Sequence, residues 1–248
     1  DIHIPGGDRC RLPRSAGRCR EGDIASRMVD ACDAFLLRRL EESVAKRRNH
    51  WVPADKPLAE RTPDREKLKH LLGLRDPRIP FDGLELVGTT ETPALIGTAG
   101  DVRIVRVRWP VIGGVHGEGL FLAAGKNAKG WAIVLPDADQ TPEQLCGLSG
   151  GVPEQSRLPL KLAGSGMNVV VPALVIRKMT KRRNRANLSH REYLHRSAFI
   201  LGRTMTGYEV QKVLALVDWM EQQNGGGENL LPIALAGYGE GGMLALYT

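Results

Sequence analysis

Residues Leu231 to Thr248 read LPIALAGYGEGGMLALYT. A short apolar run meets a cluster of glycines, and an apolar segment of helix-forming residues follows. Glycines at this spacing serve two kinds of chemistry. Gly237-Tyr238-Gly239-Glu240-Gly241-Gly242 satisfies G-x-G-x-x-G, a tight turn that brings backbone N–H groups against the pyrophosphate of a dinucleotide. The same residues satisfy G-x-X-x-G, a sharp strand-to-helix elbow that presents a nucleophile at its middle position. In that register the middle residue is Gly239, which has no side chain to attack with. A glycine-rich helix start without chemistry is the third reading.

A dinucleotide turn normally follows the first strand of a βαβ unit, with an acid ~20 residues later on the ribose. Only six residues follow Gly242, so such a unit is not completed within this sequence. An elbow belongs after several strands instead. Acyl transfer there needs a Ser or Cys, a His base and an acid to orient it. The six histidines, His3, His50, His70, His116, His190 and His195, all precede the elbow. His190 and His195 fall where they could face the top of a sheet and touch substrate, or they are ordinary surface or packed residues. Glu240 is one position out of register for a nucleophile. Its carboxylate could orient a water, or simply sit exposed at a helix start. Among four cysteines, Cys10, Cys19, Cys32 and Cys146, there is no C-x-x-C pair, so no metal site is read. A Cys10–Cys19 disulfide is conceivable in an oxidising compartment.

The elements that must position the elbow can be traced backwards. Leu230 to Ala236 reads as a buried strand leading into it. Before that strand lies one long helical pattern, from about Arg191 to Gln222, with Val210, Val213, Leu214, Val217 and Met220 on one face. Trp131-Ala132-Ile133-Val134-Leu135 and Asn168-Val169-Val170-Val171 are continuous apolar runs, as strands covered on both faces must be. A helical stretch around Arg157 to Ala163 separates them. Asp101 to Trp109 alternates apolar and charged residues, as an antiparallel strand with one wet face would, and Leu120-Phe121-Leu122 is its expected hairpin partner. Leu84-Glu85-Leu86-Val87 is a further short strand.

The N-terminal third differs. Residues 1 to about 20 show no period. Met28, Cys32, Phe35, Leu36, Leu40 and Val44 then recur at helical steps. Thr62-Pro63-Asp64 opens a second helix that stops at Gly73. These segments predict a helical extension over residues 1–80 and an α/β domain over 81–248. Antiparallel strands followed by β-α-β-α-β predict a mostly parallel sheet with helices on both faces.

Composition sets the outer limits. The chain has 248 residues, 42% hydrophobic and 25% charged, and no apolar run near the ~20 residues of a membrane-spanning helix. A soluble protein without a membrane partner is expected. Asp1 rather than Met opens the chain, which fits either a removed presequence with export or a start inside a longer protein. The formal charge is +7, and the stretch from Arg177 to Arg196 alone carries that excess, with eight basic residues and one acid. A polyanion or nucleic-acid surface is one reading. A solvated loop and first helical turn is favoured, because Tyr193 is the one aromatic stacking position before Phe199.

From about Arg106 onward the chain resembles the α/β-hydrolase superfamily, in particular the dienelactone hydrolase and acetyl xylan esterase-like branch. The residues that carry the resemblance are Glu118-Gly119-Leu120, Val134 to Asp139, Gly207 to Leu214 with Asp218-Trp219, and the elbow. The helical segments around Phe35 to Trp51 resemble N-terminal extensions of some bacterial members. The resemblance implies a carboxylic-ester hydrolase acting on a small ester or acetylated carbohydrate, with no cofactor. It places the nucleophile at Gly239 and the two oxyanion N–H groups at Glu240 and near Asp137 or Ala138. Asp137 and Asp139 could equally be turn-forming residues. Against that pattern, the nucleophile side chain is absent, and the family's acid and His would lie past Thr248, as if the fold were truncated after its elbow. A catalytically inactive binding module is the alternative, and polyanion binding a third.

Overall fold

The computed structural model describes residues 23–48, 62–125, 128–182, 186–224 and 230–248. The Cys10–Cys19 pairing lies outside them. The chain divides into two compact units, Asp1–Arg61 and Thr62–Thr248.

In the first unit, helix α1 spans Ile24–Arg48. Asp23 opens it, its Oδ1 accepting from the N–H groups of Ala25 and Ser26 at 2.9 and 3.3 Å. Met28, Phe35, Leu36, Leu40 and Val44 all stand exposed.

The second unit begins with α2, Thr62–Leu72. The sequence reading placed this helix with the extension, yet it packs with the sheet: Leu72 is buried in a core formed with Trp109, Val213 and Leu216. Seven strands form the sheet: β1 (Glu85–Leu86), β2 (Leu95–Ala99), β3 (Val102–Ile112), β4 (Val115–Ala123), β5 (Gly130–Leu135), β6 (Met167–Pro172) and β9 (Ile233–Gly237). Their order is β1-β3-β4-β6-β5-β9, with β2 also on β3. β3 and β4 form the expected hairpin, Arg106 opposite Leu120. β4 meets β6 antiparallel, and β5 runs parallel to both β6 and β9. This is the α/β fold expected, hairpin strands first and then parallel strands with helices on both faces, but the sheet is not mostly parallel: four of its strand pairings are antiparallel and two parallel.

The continuous apolar runs behave as two-faced strands. Ile133, Leu135 and Val170 enter one core with Val210, Val213, Leu216 and Met220 of helix α6 (Met205–Gln223) and Leu244 of helix α7 (Glu240–Tyr247). Ala132, Val134, Val169 and Val171 enter the other, beside Leu145 of α3 (Pro142–Leu145) and Ala163 of α4 (Leu158–Gly164). Each fully buried Val, Leu or Ile contributes roughly 1.5–3 kcal/mol.

Four local expectations are corrected. β3 is not wet along one whole face: adjacent Ile104 and Val105 feed opposite cores, so the alternation breaks there, with Arg103 exposed before the step and Arg106 and Arg108 half-exposed after it. The long helix is two, α5 (His190–Ile200) and α6, because Gly202 takes a left-handed φ of 69° and Thr204 caps α6 through the N–H of Gly207. The basic stretch holds a hairpin, β7 (Met179–Arg182) and β8 (Ala186–Ser189), where a loop was expected. Finally, β9 is only partly buried, since among the described residues it pairs with β5 alone.

Candidate active site

The elbow is built from backbone first. β9 ends at Gly237, Tyr238 follows, and Gly239 precedes α7 with φ 57° and ψ −120°. That conformation is strained for any residue with a side chain. The flanking glycines are required by contact. A Cβ on Gly237 would lie 2.3 Å from the carbonyl of Gly241, and one on Gly241 would lie 2.4 Å from the carbonyl oxygens of Leu135 and Pro136. The turn therefore presses directly on the end of β5.

That contact brings the loop after β5 to the middle of the elbow. Asp137 Oδ1 accepts from the N–H of Glu240 at 2.8 Å and from the N–H of Ala138 at 2.7 Å. The resemblance placed one oxyanion N–H at Glu240 and the other near Asp137 or Ala138; here the N–H groups of Glu240 and Ala138 converge on one carboxylate oxygen. A Cβ added to Gly239 would sit 2.1 Å from the same Oδ1. The carboxylate of Asp137 thus fills the space that a side chain at position 239 would occupy. The N–H groups of Glu240 and then Ala138 hold its carboxyl below the usual carboxylate range, with Arg177 adding a smaller electrostatic pull.

The loop itself is fixed by its own polar groups. Asp137 N–H donates to Gln140 Oε1 at 3.1 Å, and Asp139 adopts a left-handed φ of 63°. Asp139 Oδ1 accepts from the N–H of Arg177 at 2.7 Å.

Glu240 is not an exposed helix-start charge. Its side chain is 15% exposed and is gripped by Arg177 Nη2 at 3.1 Å and by Arg191 Nη1. Arg191 is itself anchored through Nε to the carbonyl of Val175 at 2.5 Å. The charge excess was visible in the sequence, but no periodic pattern pairs these two arginines with an acid beyond the next strand. Val175 N–H in turn donates to Glu209 Oε1 at 2.8 Å, and Glu209 is paired with Lys212 within α6. Lys212 Nζ also donates to the carbonyl of Ala173 at 2.9 Å. A chain of polar contacts so runs from buried α6, through the loop after β6, to the first residue of α7.

The structure brings together Gly239, Glu240, Asp137 and Ala138. His190 and His195 stand on α5, whose Arg191 reaches Glu240. His190 Nε2 lies 3.3 Å from Thr180 Oγ1, and exposed His195 lies against the Phe199 ring at 5.4 Å. One cavity adjoins the elbow, and a second lies against α5 and α6 with no elbow residue in its wall. The first, about 490 Å3, is lined by Leu135, Gln140, Val152, Gly237 and Tyr238. The other, about 330 Å3, is mainly apolar, with Leu194, Leu201, Met205 and Tyr208, and with Lys212 and His116 as its charged or titratable residues.

No family model matches the chain, and no curated protein matches it. Among solved structures it is similar to one from Bacteroides fragilis whose acetyl xylan esterase assignment is provisional, at 13% identity and a TM-score of 0.49 over 75% of this chain and 49% of the other. It is also similar to a cold-adapted esterase from an Arctic intertidal metagenomic library. In the polyethylene glycol-bound form the identity is 14% and the TM-score 0.38, over 61% of this chain and 56% of that one. In the zinc-bound form the values are 13% and 0.38, over 66% and 57%. The chain spans about half the length of the first of these structures, at 49%. Its own strand order and strand–turn–helix elbow give it an α/β-hydrolase-like fold.

Proposed function

We propose that this chain is an esterase-like, hydrolase-fold protein in which glycine replaces the Ser or Cys nucleophile and the carboxylate of Asp137 occupies the emptied position. One observation carries this reading: the N–H groups of Glu240 and Ala138 point at a single oxygen that lies 2.1 Å from where a Cβ of residue 239 would be. Two converging donors at a helix start are what a developing oxyanion requires. The resemblance supports a small ester or an acetylated carbohydrate as the class of molecule the site would recognise. A second reading, a hydrolase-fold binding module, is favoured by the same carboxylate, because it fills the cradle with a group of the protein's own.

Serine-type chemistry is not expected. A fluorophosphonate probe should leave the protein unlabelled, and p-nitrophenyl acetate should hydrolyse at the buffer rate. Rapid labelling would overturn the proposal. The elbow geometry has its own test, G239C in a D137A background. A thiol presented at a helix N-terminus beside two N–H donors has a lowered pKa. It should react with iodoacetamide at neutral pH roughly tenfold faster than the exposed thiol of Cys32. A thiol no faster than that of Cys32 would show that position 239 does not present a nucleophile.

A further inference from the structure

Helix α1 carries an apolar stripe along one side. Val29, Cys32, Leu36, Leu40 and Val44 recur at steps of three and four residues, which are neighbours on a helix surface. The four aliphatic members are 45–62% exposed, the thiol of Cys32 is exposed, and no residue of α1 is buried. A helix standing by itself in water is marginal, and packing of its apolar side supplies most of its stability. The stripe therefore needs cover along its length.

The charges select that cover. Asp23, Asp30 and Asp33 outnumber Arg27 in the first half, while Arg38, Arg39, Lys46, Arg47 and Arg48 outnumber Glu41 and Glu42 in the second. Arg39 and Glu42 pair within the helix at 3.0 Å, which leaves the last turn, Lys46-Arg47-Arg48, as the concentrated positive end. An anionic lipid surface would satisfy that end and repel the acid half. Two such helices side by side and parallel would align like charges at both ends. Laid antiparallel, each acid half lies along the other's basic end. The apolar pattern has the same symmetry. Leu36 is the midpoint of Ile24–Arg48, and reversal about it sets Cys32 level with Leu40 and Met28 level with Val44.

We propose that α1 pairs antiparallel with α1 of a second copy of this chain, about a two-fold axis beside Leu36, and that this seam makes the protein a homodimer. The contact is isologous, the same patch serving both chains. One consequence is specific to direction. Each Cys32 lies four residues from the axis, so the two thiols stand about 12 Å apart along the seam, for a rise of about 1.5 Å per residue. That exceeds the roughly 7 Å between Cα atoms that a disulfide can span. The two copies of residue 36 face each other directly. The seam also covers Cys32, so the comparison of a thiol at position 239 with that of Cys32 belongs in a monomeric background.

Sedimentation of the full chain at micromolar concentration should give the mass of two chains. L36E puts two carboxylates together in the apolar seam and should raise the dissociation constant roughly a hundredfold or more. A34E places the same charge on the nearly opposite side of α1 and should leave the dimer intact. Direction is read by mild oxidation after Cys10 and Cys19 are replaced by serine. L36C with C32S should crosslink two chains within minutes, whereas Cys32 alone should not. A monomeric parent, a dimer untouched by L36E, or loss of the dimer in A34E would defeat the proposal. Rapid crosslinking through Cys32 would show a parallel seam and defeat it as well. A monomer that moves onto phosphatidylserine vesicles would assign the stripe to a lipid surface instead.

Discussion

Gly239 is a glycine for two reasons that act on the same missing atom. Its φ of 57° and ψ of −120° strain any side chain, and a Cβ would strike Asp137 Oδ1. Gly239→Ala therefore has to absorb the strain and displace a carboxylate that accepts two N–H bonds. It should lower unfolding free energy by roughly 2–4 kcal/mol in urea titrations. In the Asp137→Ala background the cost should fall, because the collision is gone and the pair couples. The same carboxylate sets an acid limb of stability. Its folded pKa lies below the unfolded value, so its stabilisation is fully present above about pH 4 and fades as pH falls through the folded pKa. Asp76 behaves alike, its carboxyl held down mainly by the Arg203 guanidinium. Either Asp→Asn change should flatten the loss of stability seen by circular dichroism between neutral pH and strong acid. The glycine spacing made the bend legible in the sequence, because tight turns restrict residue type locally. The tenant of the bend was not legible, since no local pattern says which side chain of a distant loop fills a gap left by glycine.

Elements carry the site through a buried ion pair. Glu209 and Lys212 lie one turn apart on α6, 2.5 Å from each other, with side chains 2% and 10% exposed. Their remaining capacity goes to Val175 N–H and the Ala173 carbonyl, so the pair pins the loop after β6 that delivers Arg177. Removing one partner strands the other. Glu209→Ala should cost about 3–5 kcal/mol by denaturant titration, while E209Q with K212M, which removes both charges together, should cost less. The apolar stripe of α6 was readable from its 3.6-residue period, and so were the two-faced strands β5 and β6 from their unbroken apolar runs. Where one helix was expected there are two, because helical periodicity continues across Leu201 and Gly202 although the backbone does not. The basic hairpin escaped for a related reason: its strands are four residues each and carry too few apolar residues to display a period.

At the scale of the whole molecule, part of the basic stretch is already paired among the described residues. Arg177 and Arg191 are engaged by Glu240, and Arg196 by Glu192. Retention on heparin should accordingly vanish by about physiological salt, whereas retention well above it would favour polyanion binding. The sharper question is where the α/β unit begins. Composition changes near Pro80, which is why the sequence suggests a start at residue 81. The cores suggest an earlier one. Leu72 is buried with Trp109 and Leu216, and Leu68 and Leu74 pack against the same cluster. Thr204 donates its hydroxyl to the Leu72 carbonyl at 2.6 Å, Arg203 forks onto Asp76, and Arg78 onto Asp218. α6 also approaches α2 so closely that a Cβ on Gly207 would lie 2.1 Å from the Leu72 oxygen. A chain starting at Thr62 keeps all of these contacts. One starting at Phe81 loses these contacts together and should be less stable by about 4 kcal/mol or more. Equal midpoints for the two shortened chains would show that α2 is an appendage, and that the sheet and α6 suffice without it.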